Sequence, residues 1–147
     1  MLCPPSGRSA VALETLKIYE QDDILSHVRR VAPRMQAALR KFADHPLVGE
    51  VRGIGLMGAV ELVADKSTKA PFNPADAVGP FLAKRTHHHG LILRALGDSI
   101  AFCPPFIITE AEIDLMFERF ALALDDTLAM VRERGLIAGA LVPALAK

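Results

Sequence analysis

Residues 91–108 read LILRALGDSIAFCPPFII, and the rest of the chain is organised around them. The run contains two short apolar strands. Leu91–Arg94 is the first, and Ser99–Cys103 is the second. Ala95–Asp98 supplies the turn, with Gly97 able to take positive φ. Pro104-Pro105 ends the second strand, because proline has no N–H to give to a ladder. One residue breaks the apolar pattern: Arg94, a lone guanidinium at the end of a strand. A buried or half-buried guanidinium needs an anion, or desolvation costs several kcal/mol, on the order of the penalty for any unpaired charge. The anion is either an internal carboxylate, with Asp98 and Glu61 the candidates, or a ligand's.

Outward from this hairpin, the C-terminal side continues with Thr109-Glu110-Ala111-Glu112. This is a capping box, with threonine at the N-cap and glutamate at N3. Ile113, Met116, Phe117, Phe120, Leu124, Leu128 and Val131 then recur on one helical face. Residues 134–147 form an apolar tail that the pattern leaves unassigned. On the N-terminal side, Asn73-Pro74 starts a helix to about His88, weakened at its start by Gly79-Pro80. His87-His88-His89 is three adjacent histidines at a helix C-terminus, where cations are welcome and Gly90 fits the C′ position. Adjacent residues on a helix point apart, so the triplet is no expected metal site.

Further upstream, Leu47–Arg52 and Leu56–Val63 read as two strands joined through Gly53-Ile54-Gly55. That G-x-G lacks a third glycine and a following helix, so a tight turn is expected and not a dinucleotide fingerprint. A helix capped by Asp22 or Asp23 carries Ile24, Leu25, Val28, Val31, Met35, Ala38, Leu39 and Phe42 on one face. Arg29, Arg30, Arg34, Arg40 and Lys41 make its solvated face, and Pro33 is positioned to kink or split it. The first helix starts near Ser9, after an irregular segment 1–9. The order is helix, helix, strand, strand, helix, strand, strand, helix. It predicts an α+β domain: a small, mainly antiparallel sheet covered by helices on one face.

Composition narrows the function. The chain has 147 residues, 51% of them hydrophobic, so one domain with a full core is expected. A formal net charge of zero argues against nucleic-acid binding. No apolar run approaches the roughly 20 residues that span a bilayer, and MLCPPSGRS lacks the apolar run of a secretory signal. With only Cys3 and Cys103, a disulfide framework is not expected and a reducing cytoplasm is the default. Cys103 reads as a small core hydrophobe.

Three stretches carry a family resemblance: AVALETLKIYE from Ala10, VRGIGLMGAVELV from Val51, and HGLILRALGDSIAFCPPFIITEAEID from His89. Together they resemble the C-terminal part of class III pyridoxal-phosphate-dependent aminotransferases, closest to the omega-transaminases. The resemblance implies a fold-type-I architecture, in which a large domain carries the cofactor and a small C-terminal domain closes over it. It places residues 10–133 in that small domain with its lead-in helix. Arg94 falls on the arginine that binds the substrate carboxylate, so it is the expected substrate-binding residue. The family's Schiff-base lysine, the aspartate facing the pyridine nitrogen and the stacking aromatic residue all lie upstream of the matched stretches. Its phosphate-binding threonine segment would fall on MLCPPSGRS, which does not match it. None of Lys17, Lys41, Lys66, Lys69, Lys84 and Lys147 stands in a Schiff-base context.

The expectation is therefore a C-terminal piece of an enzyme that moves an amino group from an amine or ω-amino acid to a 2-oxo acid. No catalytic residue, metal or pyridoxal 5′-phosphate is expected on this chain alone. The expected partner is the absent large domain or a homologous subunit, in a homo-oligomer when complete. A non-catalytic dimerisation or interaction module built from the same small domain is the alternative.

Overall fold

The computed structural model describes residues 6–137. Helix α1 (Ser6–Gln21) begins ahead of Ser9, the expected cap, and packs mainly along α2. Helix α2 (Ile24–Arg40) runs unbroken through Pro33. Asp23 occupies its N-cap position in a left-handed conformation but makes no side-chain cap bond, contrary to expectation. Ile24, Val31, Met35 and Leu39 are the buried stripe, whereas Leu25, one residue off that spacing, is exposed. Arg34 is not merely solvated: it bridges to Asp114 and Glu110 on the last helix.

Strands β1 (Val48–Ile54) and β2 (Met57–Leu62) form a hairpin. Gly55 turns it at φ 58°, as the G-x-G reading expects. Gln36 of α2 donates to the carbonyls of Gly55 and Met57 and fixes that turn. After β2, Asn73 caps a short 3₁₀ turn, Pro74–Asp76, and Ala77 at φ 50° separates it from α3 (Val78–His88). The single helix expected from Asn73 is thus two pieces, divided by one left-handed residue.

Strands β3 (Arg94–Leu96) and β4 (Ser99–Phe102) form the second hairpin, and α4 (Glu110–Glu133) closes the chain. Both hairpins join in one antiparallel sheet of order β1-β2-β4-β3. The expected first strand, Leu91–Arg94, is shifted: the ladder starts only at Arg94. The cause is the end of α3, where the Leu91 amide donates to the Thr86 carbonyl and is used in capping. Gly90 takes φ 77° there, as its C′ assignment requires.

Side chains alternate across the sheet. Val60, Leu62, Ile100 and Phe102 face α2, α3 and α4 and are fully buried. Phe102 stacks against Phe117 and Phe120, and Phe120 meets Phe42, so aromatic rings tie the sheet to α4. The capping box starts α4 as expected, with Thr109 and Glu112 bonded reciprocally. Among the described residues, no helix covers the other sheet face. The architecture is the predicted α+β layer. Of the tail, residues 138–147 lie outside the described residues. Leu136 and Ile137 pack against the core.

Candidate functional site

The register puts one row of side chains on the uncovered face. Arg52 pairs with Ala59, Ala59 with Ala101, and Ala101 with Arg94. Directly paired residues share a face, so two guanidinium groups flank two alanines. The next row holds Glu50, Glu61, Ser99 and Leu96. Arg52 donates to Glu61 at 2.6 Å and lies 3.7 Å from Glu50. Its bond to Glu61 raises the Arg52 pKa above the ordinary value. Asp98 is also engaged: its carboxylate accepts from the Gly79 amide at 2.9 Å, and its carbonyl accepts from the Leu62 amide. Both internal partners proposed for Arg94 are therefore held by other groups. The Arg94 guanidinium forms no hydrogen bond or ion pair among the described residues. It is exposed at the start of β3, not half-buried at a strand end.

Beside it lies a recess of about 670 Å³, within the usual range for a small-molecule site. Ile92, Leu93, Pro105, Ile108 and Met116 give it apolar walls, and Arg94 is its charged group. Such a recess suits a carboxylate with an apolar body, because a guanidinium fork takes a carboxylate through two parallel bonds. Cys103 lines the recess and is an exposed free thiol, not the core residue expected. Strand β4 ends at Phe102, and alternation puts Cys103 on the open face with Ala101. No histidine or carboxylate shares the recess that could activate it.

The residues lining this recess do not fit pyridoxal phosphate. The recess is lined by no lysine to form an imine, no carboxylate to face a pyridine nitrogen, and no aromatic ring to stack on it. The described lysines lie elsewhere. Lys66 donates to the Ala43 and His45 carbonyls, while Lys17 and Lys69 pair with Glu14 and Glu50.

The histidine triplet does not converge. His89 and Arg85 both bond Asp126 of α4, and these contacts hold the Asp126 carboxyl below the usual range. His87 and His88 are exposed. Among the described residues no group of three histidine, cysteine or carboxylate side chains could hold a metal ion, and no helix is long and apolar enough to cross a membrane. Sequence reasoning missed two contacts of this region. One is the Asp126 junction. The other is His27, whose Nε2 meets the Ile108 carbonyl at 2.9 Å. Both join residues far apart in sequence, for which no local pattern exists.

The family model for class-III aminotransferases matches residues 6–124. Gamma aminobutyrate transaminase 3 of Solanum lycopersicum is 41% identical over 124 residues, covering 84% of this chain and 24% of its own length. Vanillin aminotransferase of Capsicum chinense is 37% identical, covering 84% of this chain and 27% of its own. A thermostable omega transaminase from Pseudomonas jessenii superimposes with a TM-score of 0.79 at 49% identity, covering 83% of this chain and 27% of that one. The PMP-bound aminotransferase from Vibrio fluvialis gives 0.80 at 43%, with the same two shares. The chain thus spans about a quarter of the length of these relatives. It belongs to the class III aminotransferase family, with the fold of the corresponding part of the omega transaminases.

Proposed function

We propose that residues 10–133 are the small, substrate-facing domain of a pyridoxal-phosphate-dependent aminotransferase, and that Arg94 binds the substrate carboxylate there. The reaction is amino transfer from an amine or ω-amino acid to a 2-oxo acid. The observation that carries this reading is an exposed guanidinium, without an internal partner among the described residues, at an apolar recess. Its fork orients a carboxylate, and the apolar walls exclude water from the chain attached to it. Pyridoxal phosphate supplies the electron sink and the covalent anchor in this chemistry. A separate large domain or homologous subunit must bring it, within a homo-oligomer, because the recess has no group fitted to hold it. The 147 residues alone are expected to be inactive. A reducing compartment, the cytoplasm by default, fits the free exposed Cys103.

The test is to mix the purified chain with pyridoxal phosphate and record the imine absorbance band and amine-to-ketone turnover. No specific band and no turnover are expected. A band that disappears on changing one lysine, with turnover, would overturn the inactivity.

A second reading, a non-catalytic interaction module, has its own support. Val11, Leu13 and Leu16 on α1 and Ile54 and Met57 on the open sheet face are exposed apolar side chains. Such surface is what docking to another chain covers. Light scattering separates the two: self-association without any carboxylate binding at Arg94 would favour the module.

A further inference from the structure

His27 lies one turn into α2 and faces the segment that leaves β4. Its Nε2 is 2.9 Å from the Ile108 carbonyl oxygen, and its Nδ1 is 2.8 Å from Nη2 of Arg30. Neither partner can change role, since a carbonyl oxygen only accepts and a guanidinium only donates. The ring must donate from Nε2 and accept at Nδ1. Only the neutral Nε2–H tautomer does both.

We propose that His27, held as this tautomer by the Ile108 carbonyl and Arg30 together, is a positioning residue that holds Pro104–Ile108 in place as a wall of the Arg94 recess. Its functional meaning rests on the reading of that recess as a carboxylate site; its geometry does not. Pro104, Pro105 and Ile108 line the recess. The two prolines have no N–H, so the segment can make few backbone bonds of its own. One is the Ile108 amide to the Pro105 carbonyl at 3.0 Å. The α1–α2 corner grips the segment at two points: His27 on the Ile108 carbonyl, and Tyr19 edge-on to Phe106 with ring centroids 6.0 Å apart.

The charged groups around His27 are few. Arg30 on its own helix and Asp22 and Asp23 at the turn before it share a surface recess with the ring. The segment packed against it offers only Ile107 and the Ile108 carbonyl. Glu110 and Asp114, at the start of α4, are held by Arg34. Arg30 at Nδ1 and the Ile108 carbonyl at Nε2 thus favour the same tautomer from the two sides of the ring.

The test uses the whole chain. Long-range ¹⁵N–¹H correlation of the imidazole reads the tautomer, and amide hydrogen exchange at Ile108 reads the wall. In the unaltered chain the pyrrole-type nitrogen is expected at Nε2. His27→Ala is expected to speed exchange at Ile108 about fivefold, the loss of one ordinary hydrogen bond. His27→Gln, whose amide donates and whose oxygen accepts, is expected to restore it to within about twofold. A proton on Nδ1, unchanged exchange in His27→Ala, or a Gln variant as fast as the Ala variant each overturns the proposal. Should His27→Ala fail to fold, the tautomer and the Gln variant still decide. Titrating valerate into the same samples tests the Arg94 reading separately, and absence of binding there leaves both readouts standing.

Discussion

Arg52 and Arg94 stand at opposite ends of one cross-strand row, and their surroundings divide their roles. Arg52 has Glu61 and Glu50 within reach and closes a surface ion-pair network. Arg94 pairs with neither, and Asp98, the other candidate acid, serves the Gly79 amide. His45 shows a different outcome. Its Nδ1 accepts from the Leu47 amide, so the neutral ring carries its proton on Nε2, which is buried without a hydrogen-bond partner. Burial lowers the His45 pKa and outweighs the opposing pull of Asp125 at 3.7 Å. The folded state therefore disfavours the protonated ring, and the unfolded chain binds the proton more readily. By linkage, stability is full above the ordinary imidazole value and falls as pH drops through it toward the folded-state value. His45→Gln is expected to reduce the stability lost between about pH 8 and about pH 5, measured by urea unfolding at both values. An undiminished loss would show that His45 plays no part. The carboxyl of Asp126, held low by His89 and Arg85, weakens the fold only at lower pH, as it protonates through its own depressed value. At this scale, the sequence made Arg94 visible as one charge in an apolar run. Cys103 was misread because alternation puts it on the face of Ala101, and the sequence alone does not say that this is the face without helices.

At the scale of elements, α3 and the second hairpin are fitted to each other by one glycine. A Cβ on Gly79 would lie 1.9 Å from the Gly97 carbonyl oxygen, a backbone atom that cannot step aside. Alanine ordinarily gains about 1 kcal/mol over glycine in a helix. Here Gly79→Ala is expected to cost about 2 kcal/mol, because backbone must shift. A variant with an unchanged or raised urea midpoint would contradict the close approach. The N-terminus of α4 depends on Thr109. Thr109→Ala removes the cap and is expected to cost about 1 kcal/mol, seen as a lower midpoint with an unchanged m-value. No change would mean that the capping box is not formed in solution. The capping box and the α4 stripe were legible because both are local patterns. The left-handed Ala77 and the use of Leu91 in capping α3 were not. Each is imposed by what the neighbouring segment packs against.

At the scale of the whole molecule, the core and the uncovered surface point in different directions. One sheet face is sealed by α2, α3 and α4 around Phe102, Phe117 and Phe120. Ile54 and Met57 on the other face and Val11, Leu13 and Leu16 on α1 turn apolar side chains outward, with Ile54 75% and Val11 68% exposed. A chain spanning a quarter of its relatives' length, with such surface, fits a domain that works against a larger body. The layer arrangement followed from the element order and the apolar spacing. That one face stays open was expected, but which face it is could not be read that way, since alternation alone does not say which side a helix covers.

The central claim is that this chain contributes the carboxylate-binding side of a transaminase through Arg94. The most direct measurement grafts residues 6–133 in place of the corresponding part of the omega transaminase from Pseudomonas jessenii. Amino transfer is then compared for a carboxylate-bearing ω-amino acid and a carboxylate-free amine, with Arg94 intact and with Arg94→Leu. The predicted result is an active chimera in which Arg94→Leu lowers kcat/KM for the ω-amino acid about a hundredfold, the scale of losing a charge-assisted bond, and leaves the amine nearly unaffected. Equal losses for both substrates, or no loss for either, would contradict the claim.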